Sequence, residues 1–548
     1  VFLGPATAHI VPVSSKVPLQ SQPQPQPQPQ LNMQMAMQMA SASAAATQPQ
    51  PQQVDSKQIA MQFVSASKEV QAKMLQDPNI ARAILATLAQ QPQSASGPSP
   101  MAAMLAATLP VPAQSPAAAG KGARVAVVGA GVAGSACTWR LLASKGCHVT
   151  VLEMGRGAGG RAGTRHVHEV PGLPDLHVNH GAPLFHIPAA DQRTKPLISA
   201  LLASGHVAEW HGTCGGINAV TGALSAGEGS RGELEVGDKL FSRYTGTPGM
   251  SALAGGCLEL ARRANPAALD VRFGIRVKEF RPKKVSGSIV SWEIFDKDGR
   301  SHGEFDWVVV SGATPALARW RAGFKEEPPV LEAAQVSGSA RMQRLVAALD
   351  PPDKPLAYEQ THVALLAWDV SRGDAARILR EQLPFDITHV SEDAALAKVS
   401  LQSLGPPYAV VALHSTGDFA RRHKAVMGSG SYVSVANKVE GSVTDEAAVA
   451  QELFASFQRL LASQGAAAMP PPTWGPALHR WGAAFPAPAL PGPLASEEAW
   501  VLPAERFAFA GDFLAPPVAC VAAALRSGLA TGESLLRHVG QGLPSSEL

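Results

Sequence analysis

The sequence predicts an α/β fold. A Rossmann-type dinucleotide-binding domain is interrupted by an inserted α+β substrate domain and preceded by a disordered N-terminal extension. Three observations carry this. Residues 124–128 read RVAVV and lead directly into Gly129-Ala130-Gly131-Val132-Ala133-Gly134. A second strand pattern, residues 506–510, leads into Gly511-Asp512 near the other end. Composition breaks at about residue 120: the first 120 residues hold 20 Gln and no Trp, Tyr or Cys, so the foldable chain begins after them.

The extension comes first in the chain. Residues 21–30 alternate Gln and Pro, followed by Met/Gln/Ala and Ala/Ser runs. Such composition does not bury enough apolar surface to offset the entropy of ordering. Within it, residues 54–91 read as a pair of short amphipathic helices. Asp55 and Ser56 cap a stripe of Ile59, Phe63, Val70 and Met74, Asp77-Pro78 breaks it, and Ile80, Ile84, Leu85 and Leu88 form the second. The pair reads either as a docking element or as a marginal helix pair without a fixed place. Three acidic residues among many Ser, Ala and Thr suit an organelle transit segment, while a single Arg, Arg82, does not. The location is left open between organelle (plastid) and cytoplasm.

Composition excludes several classes. With 46 Lys and Arg against 43 Asp and Glu, the net charge of +3 is too small for a nucleic-acid binder. Five scattered Cys without a C-x-x-C pair rule out a disulfide framework or zinc ribbon. No apolar stretch is long enough to read as a transmembrane helix. No metal-ligand cluster is evident; His166, His168, His177 and His180 lie close in sequence and read better as exposed loop histidines.

The first strand and its glycine turn have a defined physical logic. An all-apolar run suits a strand buried on both faces. Gly129 permits the tight turn, Gly131 lets backbone approach a pyrophosphate, and Gly134 allows close helix–strand packing. The helix from Val132, with Ala133 in its first turn, presents free N–H groups and a positive dipole end to phosphate. A second strand, His148–Leu152, ends at Glu153, placed to accept hydrogen bonds from a ribose 2′-hydroxyl. After it come Met154 and then Gly159-Gly160-Arg161, a second glycine turn whose arginine offers a fork of donors to phosphate.

This second turn resembles the E-x(4–5)-G-G-R signature of the FAD-binding amine-oxidase-like superfamily, a glutathione-reductase-like Rossmann fold. Asn179-His180-Gly181-Ala182-Pro183-Leu184-Phe185 resembles the D-H-G-A-Q-Y-F loop of its renalase-like, NAD(P)/FAD-dependent oxidoreductases. Thr247–Leu253 resembles their P-G-M-x-x-L helix start, and Trp474 with His479-Arg480-Trp481 resembles their W-x(4)-H-R-W stretch. The resemblance runs from about residue 121 to 540. It implies FAD as cofactor, held by Gly129, Gly131, Val132, Ala133, Gly134, Glu153, Met154, Gly160, Arg161, Val277, Gly511, Asp512 and Val521. Val277 lies in a strand expected over residues 270–280, supplying backbone bonds to adenine. Asp512 bonds the ribityl chain or pyrophosphate, and the helix from Val521 faces the ring.

His180 is the candidate catalytic residue, tuning the flavin or accepting a proton, with a loop-holding role as the equal alternative. Trp481 and Phe185 read either as pocket walls or as core. The chain departs from the family at Asn179, at Pro183-Leu184 and at residues 521–524, beside the expected ring.

The expected FAD-binding domain is discontinuous, at residues 121–185, 240–312 and 485–540. Residues 186–239 and 313–484 form the substrate domain. The expected activity is an FAD-dependent oxidoreductase that accepts a hydride from a small donor, an amine or a dihydronicotinamide-like compound, and passes electrons to oxygen or another acceptor. The alternatives are a flavin-binding or non-catalytic scaffold, and a desaturase or isomerase on the same fold.

Overall fold

The computed structural model describes residues 122–168, 175–226, 241–350, 358–426, 443–465, 468–486, 500–514 and 520–539. The N-terminal extension, with the helix pair expected at residues 54–91, lies outside them.

From the N-terminal side the elements of interest are β1 (Ala123–Val128), α1 (Val132–Leu142), β2 (Cys147–Glu153), β3 (Thr164–Val167), β4 (Leu176–Asn179), β5 (Cys214–Asn218) and β6 (Leu224–Ala226). Next come α2 (Ser251–Ala264), β7 (Leu269–Phe273), β8 (Trp307–Val310), β9 (Tyr358–Asp369), β10 (Ile387–Ser391) and β11 (Leu396–Gly405). The last are β12 (Tyr408–Ser415), β13 (Trp474–Pro486), β14 (Val501–Leu502), β15 (Phe507–Phe509) and α3 (Val521–Val539).

Six strands form a sheet in the order β7-β2-β1-β8-β15-β14, parallel except for the β14–β15 pair. Its central strands are apolar because helices or chain cover both faces: Val125, Ala126, Val127, Val308 and Val309 are fully buried. The chain leaves β1 toward β2 on one side and returns to β8 on the other. The C-terminal ends of β1 and β8 therefore flank a switch point, where open α/β sheets hold their ligands.

Helix α1 is mostly apolar or small, and buried almost all round, because it sits between the sheet, α2 and α3. Its seam with α3 needs glycine. A Cβ on Gly528 would stand 2.1 Å from the Ala133 carbonyl oxygen, and one on Gly532 would meet Arg140 Cβ at 3.0 Å. The two helices thereby approach backbone to backbone.

One expected element differs. The strand expected over residues 270–280 is two strands, β7 and a second one at Val277–Val285. Gly274 breaks it at φ +73°, and the two following residues turn to other partners. Ile275 N donates to the Glu153 carbonyl (2.9 Å), and the Arg276 guanidinium pairs with Glu326. The Val277 strand opens a separate three-stranded antiparallel meander ending at Phe305.

A second large sheet runs β13-β9-β12-β11-β10-β5-β6, antiparallel except for β10–β5. One face carries Ala364, Leu366, Leu413 and the helices packed on them. The other carries Val363, Leu365, Val410 and Ala412 and is covered by the β3–β4 hairpin through Val167, Leu176 and Val178. The loop leaving β4 thus passes between the two large sheets.

Candidate functional site

The first glycine turn closes at the end of β1. Gly129 has φ +104°, and its N–H donates to the Leu152 carbonyl at 2.9 Å. The Ser311 hydroxyl, just beyond β8, lies 3.0 and 2.9 Å from the Val128 and Gly129 carbonyls. A Cβ on Gly134 would fall 2.0 Å from the Gly129 oxygen, so packing forces that glycine.

Gly131 is different. Its φ of −70° is open to any residue, and a Cβ there would meet nothing nearer than Gly160 Cα at 4.0 Å. Neither backbone conformation nor protein packing requires glycine here. The open space suits a group from outside the chain approaching the backbone. Gly131 is also the N-cap of α1, without a side-chain cap and without an acidic residue in the first turn, so the amides at Val132 and Ala133 open a helix end suited to an anion.

The second turn is tied to the first. Gly159 N donates to the Ala130 carbonyl at 3.0 Å, and Gly131 and Gly159 form a parallel bridge. Gly159 (φ +132°) and Gly160 (φ +56°) hold conformations that favour glycine. The Glu153 carboxylate accepts from Ala130 N (2.6 Å) and Gly155 N (2.5 Å), which sets it at the rim of the first turn beside half-buried Met154.

Arg161 and Asp512 meet. The sequence gives each a separate place on the cofactor, whereas the structure joins them in a bidentate pair: Nη1 to Oδ2 at 2.8 Å and Nη2 to Oδ1 at 2.6 Å. The Asp512 side chain is buried and that of Arg161 is 37% exposed, and Arg161 Nη1 also donates to the Ala484 carbonyl at 3.4 Å. Gly511 N donates to Ser527 Oγ at 3.0 Å, tying this corner to α3. Val521 opens α3, preceded by Cys520, whose sulfur accepts from Ala523 N.

On the other side stands His180. Its ring stacks on His479 with centroids 3.9 Å apart and 23° between planes, and Trp481 lies 5.3 Å away. Trp481 Nε1 donates to the His180 carbonyl at 2.7 Å. A Cβ on Gly181 would collide with the Arg161 carbonyl oxygen at 1.9 Å, so the His180 loop lies against the second glycine turn. Burial, helped by the charge of Arg165, pushes the His180 imidazole down to about 4, and its Nδ1 is buried without a hydrogen-bond partner. His479 is driven down by burial first, then by His180, Arg165 and His414.

His414, on β12, was not singled out from sequence. It is buried and held well below its usual range by burial and then by Lys398. Strand register is what brings it here. His479 and His414 both pair with Val363 of β9, so the three residues form one row across the sheet. The row continues through Lys398 and His389. No local sequence signal reports such a row.

Other candidates sort differently. Phe185 is core, against Tyr244 at 5.5 Å and clustered with Val132 and Leu525, so it is no pocket wall. Asn179 ties elements together: its Oδ1 accepts from Met250 N and Thr164 Oγ1 (both 2.8 Å), and its backbone exchanges two bonds with the Gln402 amide. Arg480 points away from His479, donating to Gln360 and to the Lys424 carbonyl. His166 and His177 meet edge to face at 4.6 Å, and His168 reaches Asp175 at 2.8 Å. Among the described residues, no group of three His, Cys, Asp or Glu is arranged to hold a metal ion. No described helix is long and apolar enough to cross a membrane.

The family comparison agrees with a dinucleotide fold. Residues 127–201 match the family model of the NAD(P)-binding Rossmann-like domain. Among solved structures, the chain is similar to one described as a protoporphyrinogen oxidase from Exiguobacterium sp. 255-15. That match has 12% identity, 76% of this chain and 99% of the other covered, and a TM-score of 0.48. It is also similar to putrescine oxidase bound to putrescine (11% identity, 76% and 99% covered, TM-score 0.46) and to a double mutant of putrescine oxidase (12%, 76% and 100%, TM-score 0.46). The fold is mixed α/β with a Rossmann-like dinucleotide domain.

Proposed function

We propose that this chain is an FAD-dependent oxidoreductase that accepts a hydride from a small donor and passes the electrons to oxygen or another acceptor. The observation that carries the reading is the crevice at the ends of β1 and β8. There, two interlocked glycine turns, an uncapped helix end and a guanidinium fixed by a buried carboxylate converge. A flavin dinucleotide supplies two-electron redox chemistry when bound.

The residues present fit that group. Amides at Gly131, Val132 and Ala133 would bind phosphate, and the vacant Cβ position of Gly131 gives the approach. Arg161, partly exposed beside Asp512, would add positive charge next to the phosphates. Glu153 already accepts from two amides and would take a ribose hydroxyl beside them. Backbone at Met154 and Val277 would border the adenosine, with Gly160, Gly511, Asp512 and Val521 around the remainder. Residues 121–185, 240–312 and 485–540 would make this domain and the segments between them the substrate domain.

His180 would act at Nδ1, a neutral buried nitrogen able to accept a proton. Trp481 fixes the loop that carries it. The finer reading is the renalase-like branch, on the His180 loop and the His479–Trp481 stretch.

The test is a visible spectrum of the purified full chain with FAD added, followed by anaerobic titration with candidate donors. Flavin absorption that bleaches with a donor supports the reading. A chain that takes up flavin but never bleaches points to a scaffold. An unchanged redox state with a rearranged product points to an isomerase.

A further inference from the structure

The β3–β4 hairpin has two faces, and packing accounts for only one of them. Strand alternation sends Val167, Leu176 and Val178 toward the second large sheet, where they are buried. The same alternation puts His166, His168, Asp175 and His177 on the outer face. By sequence these histidines read as loop residues, whereas the structure sets them on paired strands or directly beside them.

Register turns a loose sequence cluster into a two-by-two patch. His166 stands directly opposite His177. Their rings meet edge to face with centroids 4.6 Å apart. One step further along, His168 Nδ1 reaches Asp175 Oδ1 at 2.8 Å. His166 and His168, two residues apart, stack with centroids 6.5 Å apart. Arg165 turns to the sheet side, its guanidinium 5.4 Å from the centroid of the Trp474 ring.

Three imidazoles at this spacing make a ligand set for a divalent transition ion. Two nitrogens bound to one tetrahedral zinc stand about 3.3 Å apart, given Zn–N bonds of about 2.0–2.1 Å. Directly opposed strand residues have Cβ atoms about 4.5–5.5 Å apart, which two imidazoles can close. As the rings now lie, no three donors converge on one point. The backbone supplies the spacing and side-chain rotation supplies the convergence. His166 and His168 are exposed and His177 is half-buried, so that rotation takes place at the surface. The carboxylate on His168 Nδ1 favours the tautomer with a bare Nε2, the arrangement that orients metal-bound histidines. Burial first, then His177 and His168, hold His166 below its ordinary 6.5 and so in the neutral, ligating form at neutral pH.

We propose that His166, His168 and His177 form a surface site for zinc or a chemically similar divalent transition ion, with Asp175 orienting His168. Imidazole nitrogen favours such ions over the oxygen-seeking magnesium and calcium. Three protein ligands leave the remaining position to water. Its residues are not among those assigned to FAD, so the proposal stands apart from the oxidoreductase reading.

The test is equilibrium dialysis of the untagged full chain, first stripped with chelator, against ZnCl2, with MgCl2 as the contrasting ion. The expected result is stoichiometric zinc uptake without comparable magnesium uptake. His166→Gln and His168→Gln, both at exposed positions, should each lower zinc affinity about tenfold or more and leave the metal-free Tm unchanged. Asp175→Asn should lower it about tenfold. Cobalt(II) gives a second readout: the intense visible absorption of a four-coordinate ion should appear in the parent chain and be lost in His166→Gln. A parent chain that takes up no zinc overturns the proposal. So does zinc uptake that both histidine substitutions leave unchanged, which places the metal elsewhere, and so does magnesium uptake equal to that of zinc.

Discussion

The two walls of the crevice are built from opposite materials. On the Rossmann side the functional surface is mostly backbone: the Gly129–Gly134 turn, the Gly159-Gly160 turn and the open end of α1. On the sheet side it is side chain: imidazoles from three places in the chain, set by register and burial. A backbone wall is specified by where side chains are missing, whereas an imidazole wall depends on which ones are enclosed. The first should respond to steric change and the second to pH.

The largest expected effect separates two glycines of one turn. Gly134→Val drives a side chain into the Gly129 carbonyl and should cost about 3 kcal/mol or more of stability, read by urea unfolding. Gly131→Ala has room within the protein and should change stability by less than about 0.5 kcal/mol, yet weaken dinucleotide binding about tenfold. Equal stability losses in both would break the distinction between packing and ligand approach.

Next in size is Arg161→Ala, which strands the buried Asp512 carboxylate and removes the phosphate fork. Dinucleotide affinity should drop about tenfold to a hundredfold by equilibrium binding. Arg161→Lys should recover only part of it, since a lysine cannot reproduce the two parallel bonds.

The sheet side predicts an acid response. Folding holds His180 at about 4 against its ordinary 6.5, and burial lowers His414 and His479 as well. The unfolded chain therefore binds protons that the folded one refuses. This contribution is complete above about pH 6.5 and is lost as pH falls toward 4. Tm should decline across that window, and His414→Gln should flatten the decline. A flat profile in the parent chain contradicts the buried neutral wall.

The smallest effect is Gln402→Ala, which removes two bonds to the Asn179 backbone and should cost about 1 kcal/mol, with dinucleotide affinity unchanged.

The same contrast explains what was legible in the sequence. The β1–turn–α1 unit reads out to within one residue because buried runs and glycine punctuation are local signals, and α3 begins at Val521 as expected. The break at Gly274 was not legible, because residues 275 and 276 leave β7 for Glu153 and Glu326, partners remote in sequence. Nor was the Arg161–Asp512 pair, which joins two ends of the fold. His479 carries a motif and could be noticed. His414 lies in the uniformly buried run Tyr408–Ser415, and only its register with Val363 places it on the crevice side. Asn179 stood out as a departure beside the expected ring, and its bonds to Met250, Thr164 and Gln402 show a tie between elements.

The most direct test of the central claim is a flavin-binding titration of the full chain, followed by absorbance and by quenching of flavin fluorescence. The account predicts saturable, stoichiometric FAD uptake that weakens in Gly131→Ala and Arg161→Ala while both variants remain folded. A folded parent chain that stays colourless with excess FAD, or that binds FAD equally well in both variants, would contradict it.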